Sequence, residues 1–206
     1  MSEPEDQDQK QDSSEPAAII GEAKKEEGRG YADYWHYSDG PIAEVGVANI
    51  LADHLTHTEG RSWKSLESLK DDPPDVLLVS TSLHRVGVEV TELVDQKTLE
   101  RHLGASGLKD WAVWTSDTVA HRIVQLIEQK DRKLAARTGQ FDEVFVAVFT
   151  DEPMITVELA QQALLNVSVS VANIQRAFLI LSYHPEFNKN QFPQGIPVFS
   201  VQLRRA

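Results

Sequence analysis

Apolar and polar residues alternate along the middle of this chain in patterns that predict a mixture of strands and helices. Two runs rich in β-branched and apolar residues, 76–82 and 85–93, flank a short polar break, which is typical of two antiparallel strands joined by a tight turn. The unbroken apolar run 144–150 predicts a central strand that is buried on both faces. Weaker strand patterns occupy residues 61–69, 177–183 and 198–203.

Helical periodicity marks the segments between these strands. In the first helix, predicted over about 42–57, Glu44 falls on the same stripe as three apolar residues, Ala48, Leu51 and Leu55. The Glu44 carboxylate therefore lies on or beside the buried face, unless it is a first-turn acid that complements the helix dipole. Shorter helices are predicted over 96–102 and 156–166.

A long helix is predicted from Ser116 or Asp117 to about Arg137. Lys130 falls within its apolar stripe, and Lys133 lies one turn along at the margin of that stripe. Lysine stems often extend from such positions to water, so either residue is also compatible with a purely structural role.

The predicted hairpin brings two carboxylates together. A turn of two to four residues places Asp75 opposite about residues 90–92, one or two positions from Glu89. Glu89 and Thr91 point to the same face of their strand. Two neighbouring carboxylates are unfavourable unless a cation lies between them, and a divalent metal is the usual cation. The alternatives are a turn aspartate after Pro74 and a solvated strand glutamate.

Length and composition limit the classes of protein to which this chain can belong. The length of 206 residues suits one domain, which is predicted over 31–206. Residues 1–30 form an acidic tail with nine acidic and four basic side chains, a composition that predicts disorder. The absence of cysteine excludes disulfides, thiolate zinc sites and cysteine nucleophiles. No apolar run approaches the roughly 20 residues that span a bilayer, and we expect a cytoplasmic protein without a secretory signal. No glycine-rich phosphate loop, nucleophile elbow or HExxH motif is present. The net charge of -12 means that nucleic-acid binding would need a local basic face.

The order helix, strand, strand hairpin, long helix, strand, with Pro74-Asp75 opening the second strand and Glu89-Val-Thr91 in the third, resembles the restriction-endonuclease-like superfamily of PD-(D/E)xK nucleases. The similarity covers about residues 42–150. It implies an α/β fold with an αβββαβ core and a mixed central sheet flanked by helices, followed here by a C-terminal α-β-β extension. It also implies that Asp75 and Glu89 bind magnesium or manganese, with Glu44 as the first-helix acid that completes the metal site.

The chain departs from that family at one position. The family pattern has lysine two residues after the glutamate, where this chain has Thr91, and threonine cannot supply a positive charge to a reacting phosphate. Either Lys130 or Lys133 reaches the same point from the following helix, or the lysine is lost and the fold serves as a binding scaffold. Together with Thr91, the two lysines and three acids form the candidate catalytic set.

The resemblance thus implies a magnesium-dependent endonuclease that acts on DNA, for example in restriction or defence. The alternative is a catalytically inactive nuclease-fold domain that binds a protein or a nucleic acid. The sequence leaves the oligomeric state open, a homodimer included.

Overall fold

The computed structural model describes residues 40–69, 73–104, 111–135, 141–182 and 195–206. The predicted acidic tail, residues 1–30, lies outside this part of the chain. The helices are α1 (Gly40–Glu59), α2 (Gln96–Gly104), α3 (Ser116–Leu134) and α4 (Val157–Leu164). The strands are β1 (Trp63–Ser68), β2 (Val76–Ser80), β3 (Arg85–Glu92), β4 (Glu143–Thr150), β5 (Val169–Val171), β6 (Arg176–Leu181), β7 (Val198–Val201) and β8 (Leu203–Arg205).

The predicted mixed α/β architecture is confirmed. Six strands form one sheet in the order β1-β2-β3-β4-β6-β7, in which β3, β4 and β6 run parallel and the remaining neighbours run antiparallel. Two short strands, β5 and β8, form a separate parallel pair that the sequence did not predict. Three residues are too few to show a period of two, which explains why the C-terminal extension was expected to hold only two strands.

Opposite faces of the six-stranded sheet carry different helices. One face packs α1 against alternate residues of β3 and β4, namely Val86, Val88, Val90, Phe145, Ala147 and Phe149. The other face packs α3 and α4 against the intervening residues of β4 and β6, which include Val146, Val148 and Leu179. Glu89 pairs with Val146 in register and therefore belongs to the α3 face.

The loop of the hairpin between β2 and β3 has a length within the predicted two to four residues, but the register differs from the prediction. Ser80 donates its N–H to the carbonyl of His84 at 3.0 Å, so only residues 81–83 form the loop. Leu83 occupies the left-handed region with φ of 61°, as the third residue of such loops commonly does. The resulting register pairs Val76 with Val88. Asp75, one residue earlier, therefore reaches Glu89 itself and not residues 90–92, because β2 ends two residues earlier than predicted.

Among the described residues, no helix is long and apolar enough to cross a membrane. The apolar residues lie instead on the two sides of the sheet.

A charged cluster joins the end of α1 to the start of β6. The Glu59 carboxylate accepts hydrogen bonds from Arg61 Nε at 2.9 Å, from Trp63 Nε1 at 3.1 Å and from Arg176. Arg176 also lies over the rings of Phe145 and Phe178, with its guanidinium carbon 5.0 Å from each ring centroid. Burial raises the pKa of Glu59, but the hydrogen bonds and the Arg176 charge outweigh it and hold this pKa below its ordinary value.

We expect this cluster to make stability depend on pH. Because the pKa of Glu59 is lower in the folded chain than in the unfolded one, its contribution is full above about pH 4.5 and is lost as pH falls further. The difference between the wild type and Glu59→Gln in urea unfolding should therefore be largest at pH 7 and should shrink as pH falls below about 4.5. A difference that stays constant from pH 7 to pH 3 would show that the carboxylate charge does not contribute.

Candidate functional site

A buried ion pair between β3 and α3 is the centre of the candidate site. The Lys130 ammonium lies 2.5 Å from Glu89 Oε1. The side chain of Glu89 is 1% exposed and that of Lys130 is 16% exposed, so the pair is largely removed from water. A carboxylate buried on a strand would be strongly unfavourable alone, and the ammonium supplies the compensating charge.

Asp75 binds the strand on both sides of Glu89. Its N–H donates to the carbonyl of Val88 at 3.0 Å, and its carboxylate Oδ2 accepts from the N–H of Val90 at 2.6 Å. Its own carbonyl accepts from the N–H of Leu69 at 2.7 Å. The Asp75 carboxylate therefore takes a position that a strand carbonyl would otherwise fill, which fixes it beside Glu89.

Pro74 and Gly87 fit together and set the position of Asp75. A Cβ atom on Gly87 would lie 2.5 Å from Pro74 Cγ, a distance that real Cβ contacts do not show. The proline ring can therefore lie over β3 only because residue 87 has no side chain. The close approach keeps the Pro74-Asp75 segment against the strand that carries Glu89.

A second aspartate, Asp131, fixes α3 next to the ion pair. Its carboxylate accepts three backbone N–H groups from the loop between β5 and β6, those of Ala172 at 3.0 Å, Asn173 at 2.7 Å and Ile174 at 3.1 Å. Lys130 precedes it directly, so the same turn of the helix is held on two sides. Asp131 was not predicted as a site residue, because its only signal in the sequence is an acid beside the apolar stripe of a helix.

The other candidate residues are placed differently. Lys133 is exposed on the surface of α3, so of the two lysines the structure brings Lys130 to the carboxylates. Thr91 is half-buried on β3 and pairs in register with Val148, on the same face as Glu89. Glu44 is half-buried on α1, the helix that packs on the opposite face of the sheet.

A three-carboxylate metal site is not preassembled. Among the described residues, which include Glu44, Asp75 and Glu89, no three His, Cys, Asp or Glu side chains form a group that could hold a metal ion. Glu44 as the third metal ligand stays a prediction. What the structure brings together is two adjacent acidic residues and one lysine, a group with a net charge of -1 when all three are ionised.

The carboxyl ends of β3 and β4 hold a second buried network that sequence reasoning missed. Glu152 is 1% exposed, and its Oε1 accepts the N–H of Asp95 at 2.8 Å. Thr150 donates its hydroxyl to the carbonyl of Leu93 at 2.7 Å. Asp95 in turn accepts the N–H of Thr98 at 2.7 Å and begins α2. The start of α2 is thus fixed to the ends of two parallel strands.

Removing the lysine should destabilise the chain more than removing its exposed neighbour. Lys130→Met leaves the Glu89 charge buried without its ammonium, and we expect a loss of about 3 kcal/mol in the free energy of unfolding. Lys133→Met, on the surface, should change it by less than about 0.5 kcal/mol. Urea unfolding at pH 7 measures both. Equal effects would contradict the importance of the buried pair, and Lys130→Met combined with Glu89→Gln should recover part of the loss.

Gly87→Ala tests the contact with Pro74. The added methyl group must displace the proline ring, and we expect a loss of about 1 to 3 kcal/mol in unfolding free energy. Because the shortest distance involves Pro74 Cγ, combining Gly87→Ala with Pro74→Ala should cost less than the sum of the two single substitutions. Additive effects, measured by urea unfolding, would show that the two residues do not compete for the same space.

Comparison with known proteins gives no family for the chain. No protein-family model, curated protein or solved structure matches it. Its function must therefore be argued from the geometry of Asp75, Glu89 and Lys130.

Proposed function

We propose that this chain is a metal-dependent phosphodiester hydrolase of the PD-(D/E)xK type that acts on DNA. The observation that carries the proposal is the 2.5 Å contact between Lys130 Nζ and Glu89 Oε1. The motif lacks a lysine at position 91, and Lys130 supplies an ammonium at the glutamate from helix α3. A lysine inside an apolar helical stripe, with its ammonium at one of the two acids of the motif, supports this proposal.

The order of the elements supports the same proposal. Helix α1, strands β1 to β3, helix α3 and strand β4 follow one another as the αβββαβ core requires, with α2 inserted before α3. Asp75 directly precedes β2 and Glu89 lies within β3, where the motif places its two acids. We propose that residues 42–150 form a restriction-endonuclease-like core on this basis.

The acidic residues suit magnesium or manganese. Asp75 and Glu89 offer only oxygen atoms, which hard divalent cations prefer, and magnesium is commonly held by one or two carboxylates together with waters and substrate phosphates. A third protein ligand is therefore unnecessary. When bound, the ion would lower the pKa of a water and neutralise charge on the phosphoryl oxygens.

Asp75, Lys130 and Thr91 then have different roles. Asp75 is held rigidly by its hydrogen bond from the Val90 N–H, so one of its oxygens keeps a fixed direction. Lys130 exchanges its contact with Glu89 Oε1 for a contact with an attacking water or a phosphate oxygen, and its positive charge stabilises the negative charge that builds up there. Thr91 contributes no charge.

The second candidate is a nuclease-fold domain without catalytic activity that binds a partner. Burial of the pair favours it, because Asp75 is 8% and Glu89 1% exposed, and because both carboxylates already accept hydrogen bonds. In that case the ion pair serves only to stabilise the contact between β3 and α3.

Cleavage assays decide between the two candidates. Purified full-length chain is incubated with single- and double-stranded DNA in magnesium or manganese, alongside Asp75→Ala, Glu89→Ala and Lys130→Ala. We expect the wild type to cleave DNA, and each variant to lose at least about 100-fold in rate, because each removes a charge from the reacting centre. Arg132→Ala, an exposed cation on the same helix, is the matched control and should cleave like the wild type.

Two outcomes would overturn the proposal. A wild type that cleaves no DNA and gains no thermal stability from either metal favours the binding domain. Cleavage that persists at the wild-type rate in Asp75→Ala and Glu89→Ala does not come from this site. Lys133→Ala tests the choice of lysine. A loss of rate in Lys133→Ala, with none in Lys130→Ala, would show that Lys133 and not Lys130 is the catalytic cation.

A further inference from the structure

A cleft between α2 and the start of α3 lies outside the candidate active site. Two adjoining pockets of about 510 and 410 Å³ share Asp95, Lys97, Trp114 and Thr118 in their walls. Arg122 lines the first pocket, and Arg101 and Trp111 line the second. We call this feature the tryptophan cleft and define it by Lys97, Arg101, Trp111, Trp114 and Arg122. Its size is that of a site for a small organic group.

The tryptophan cleft has a rigid frame. Trp114 packs against the core between α3 and the sheet, and Ala112 packs against Val94 and Leu99. Trp111, one residue before Ala112, is 47% exposed. A large aromatic surface is thus open to solvent, and two of the residues that follow it in the chain pack against the protein. Such a surface stacks planar rings without a large cost in conformational entropy.

Charged side chains of both signs line the cleft around the two tryptophans. Lys97, Arg101 and Arg122 line it together with two acids, Asp95 and Asp117. Asp95 caps α2 through the Thr98 N–H, and its hydrogen bonds from Thr98, helped by the charges of Arg101 and Lys97, hold its pKa below the ordinary value. The five charged side chains sum to +1, in a chain whose net charge is -12.

We propose that the tryptophan cleft binds an unpaired base of single-stranded DNA, which stacks on Trp111 while the neighbouring phosphates contact Lys97, Arg101 and Arg122. Aromatic platforms beside cationic grooves bind single strands because every base offers a flat face, whereas the bases of a duplex are stacked on one another. The identity of the ligand rests on the proposed function, and the inference deepens it by naming single-stranded DNA as the substrate class.

Helix α3 lies beside both the cleft and the ion pair. It carries Gln125, in the wall of the first pocket, and Lys130, at the ion pair. At a rise of 1.5 Å and a rotation of about 100° per residue, they are about 7.5 Å apart along the helix axis and about 140° apart around it. A strand that is held at the cleft must therefore pass around α3 to approach Lys130.

Binding assays without metal test the inference separately from cleavage. Fluorescence anisotropy in EDTA compares a labelled 12-nucleotide oligothymidylate, a length within the roughly 4 to 16 nucleotides that one OB-fold domain covers, with a blunt duplex of equal length. We expect the single strand to bind more tightly. Trp111→Ala should weaken it by about 5- to 150-fold, and Trp111→Phe should retain most of the affinity. Lys97→Gln should reduce the slope of log affinity against log salt by about 0.7. Leu165→Ala, an exposed apolar residue on the last turn after α4, is the matched control.

Each result has one meaning. Equal affinity for the single strand and the duplex, or unchanged affinity in a folded Trp111→Ala, overturns the inference. If the wild type cleaves DNA and either result is found, the nuclease proposal stands and the cleft proposal fails. If single strands bind through Trp111 but nothing is cleaved, the cleft proposal stands and the nuclease proposal fails.

Discussion

The burial of Glu89 on a central strand is the constraint on which the site depends. A carboxylate that is 1% exposed needs a positive charge within contact distance, and the nearest element on its face of the sheet is α3. Lys130 meets this requirement only if the helix has one particular rotation and height over the strand. The three hydrogen bonds that Asp131 accepts from the loop after β5 supply that restraint. The ion pair, the helix orientation and the C-terminal strands are therefore parts of one arrangement.

This arrangement is compatible with both proposed functions. In the nuclease, Lys130 would serve the chemistry of a phosphate from the helix. In the binding domain, its ammonium is a structural counterion for the buried Glu89 carboxylate. The energetics favour neither, since a buried pair is strongly coupled in both cases. Solvent access distinguishes them, because a catalytic lysine must release Glu89 when substrate arrives.

Much of the fold could be predicted from residue patterns. Every described strand of at least four residues was located within a few residues of its observed ends, because alternating or continuous apolar residues can be recognised over that length. The site was less accessible. The position of Lys130 in an apolar stripe signalled an unusual lysine, but its partner depended on which strand lay beneath the helix. Asp131 and Glu152 escaped notice because their partners are backbone N–H groups, which leave no trace in the sequence.

The three-residue loop at 81–83 has a consequence for the spacing of the two acids. From Ser80 back to Asp75 and from His84 forward to Glu89 the two strands run in step, so the loop length alone decides which residue stands across from Asp75. If one residue were inserted and the loop kept its length of three residues, Asp75 would stand across from a valine that faces the opposite side of the sheet. The number of residues between Asp75 and Glu89 is thus constrained by the pairing of the two strands. Natural or engineered length variation should be tolerated elsewhere on the surface before it is tolerated at this turn.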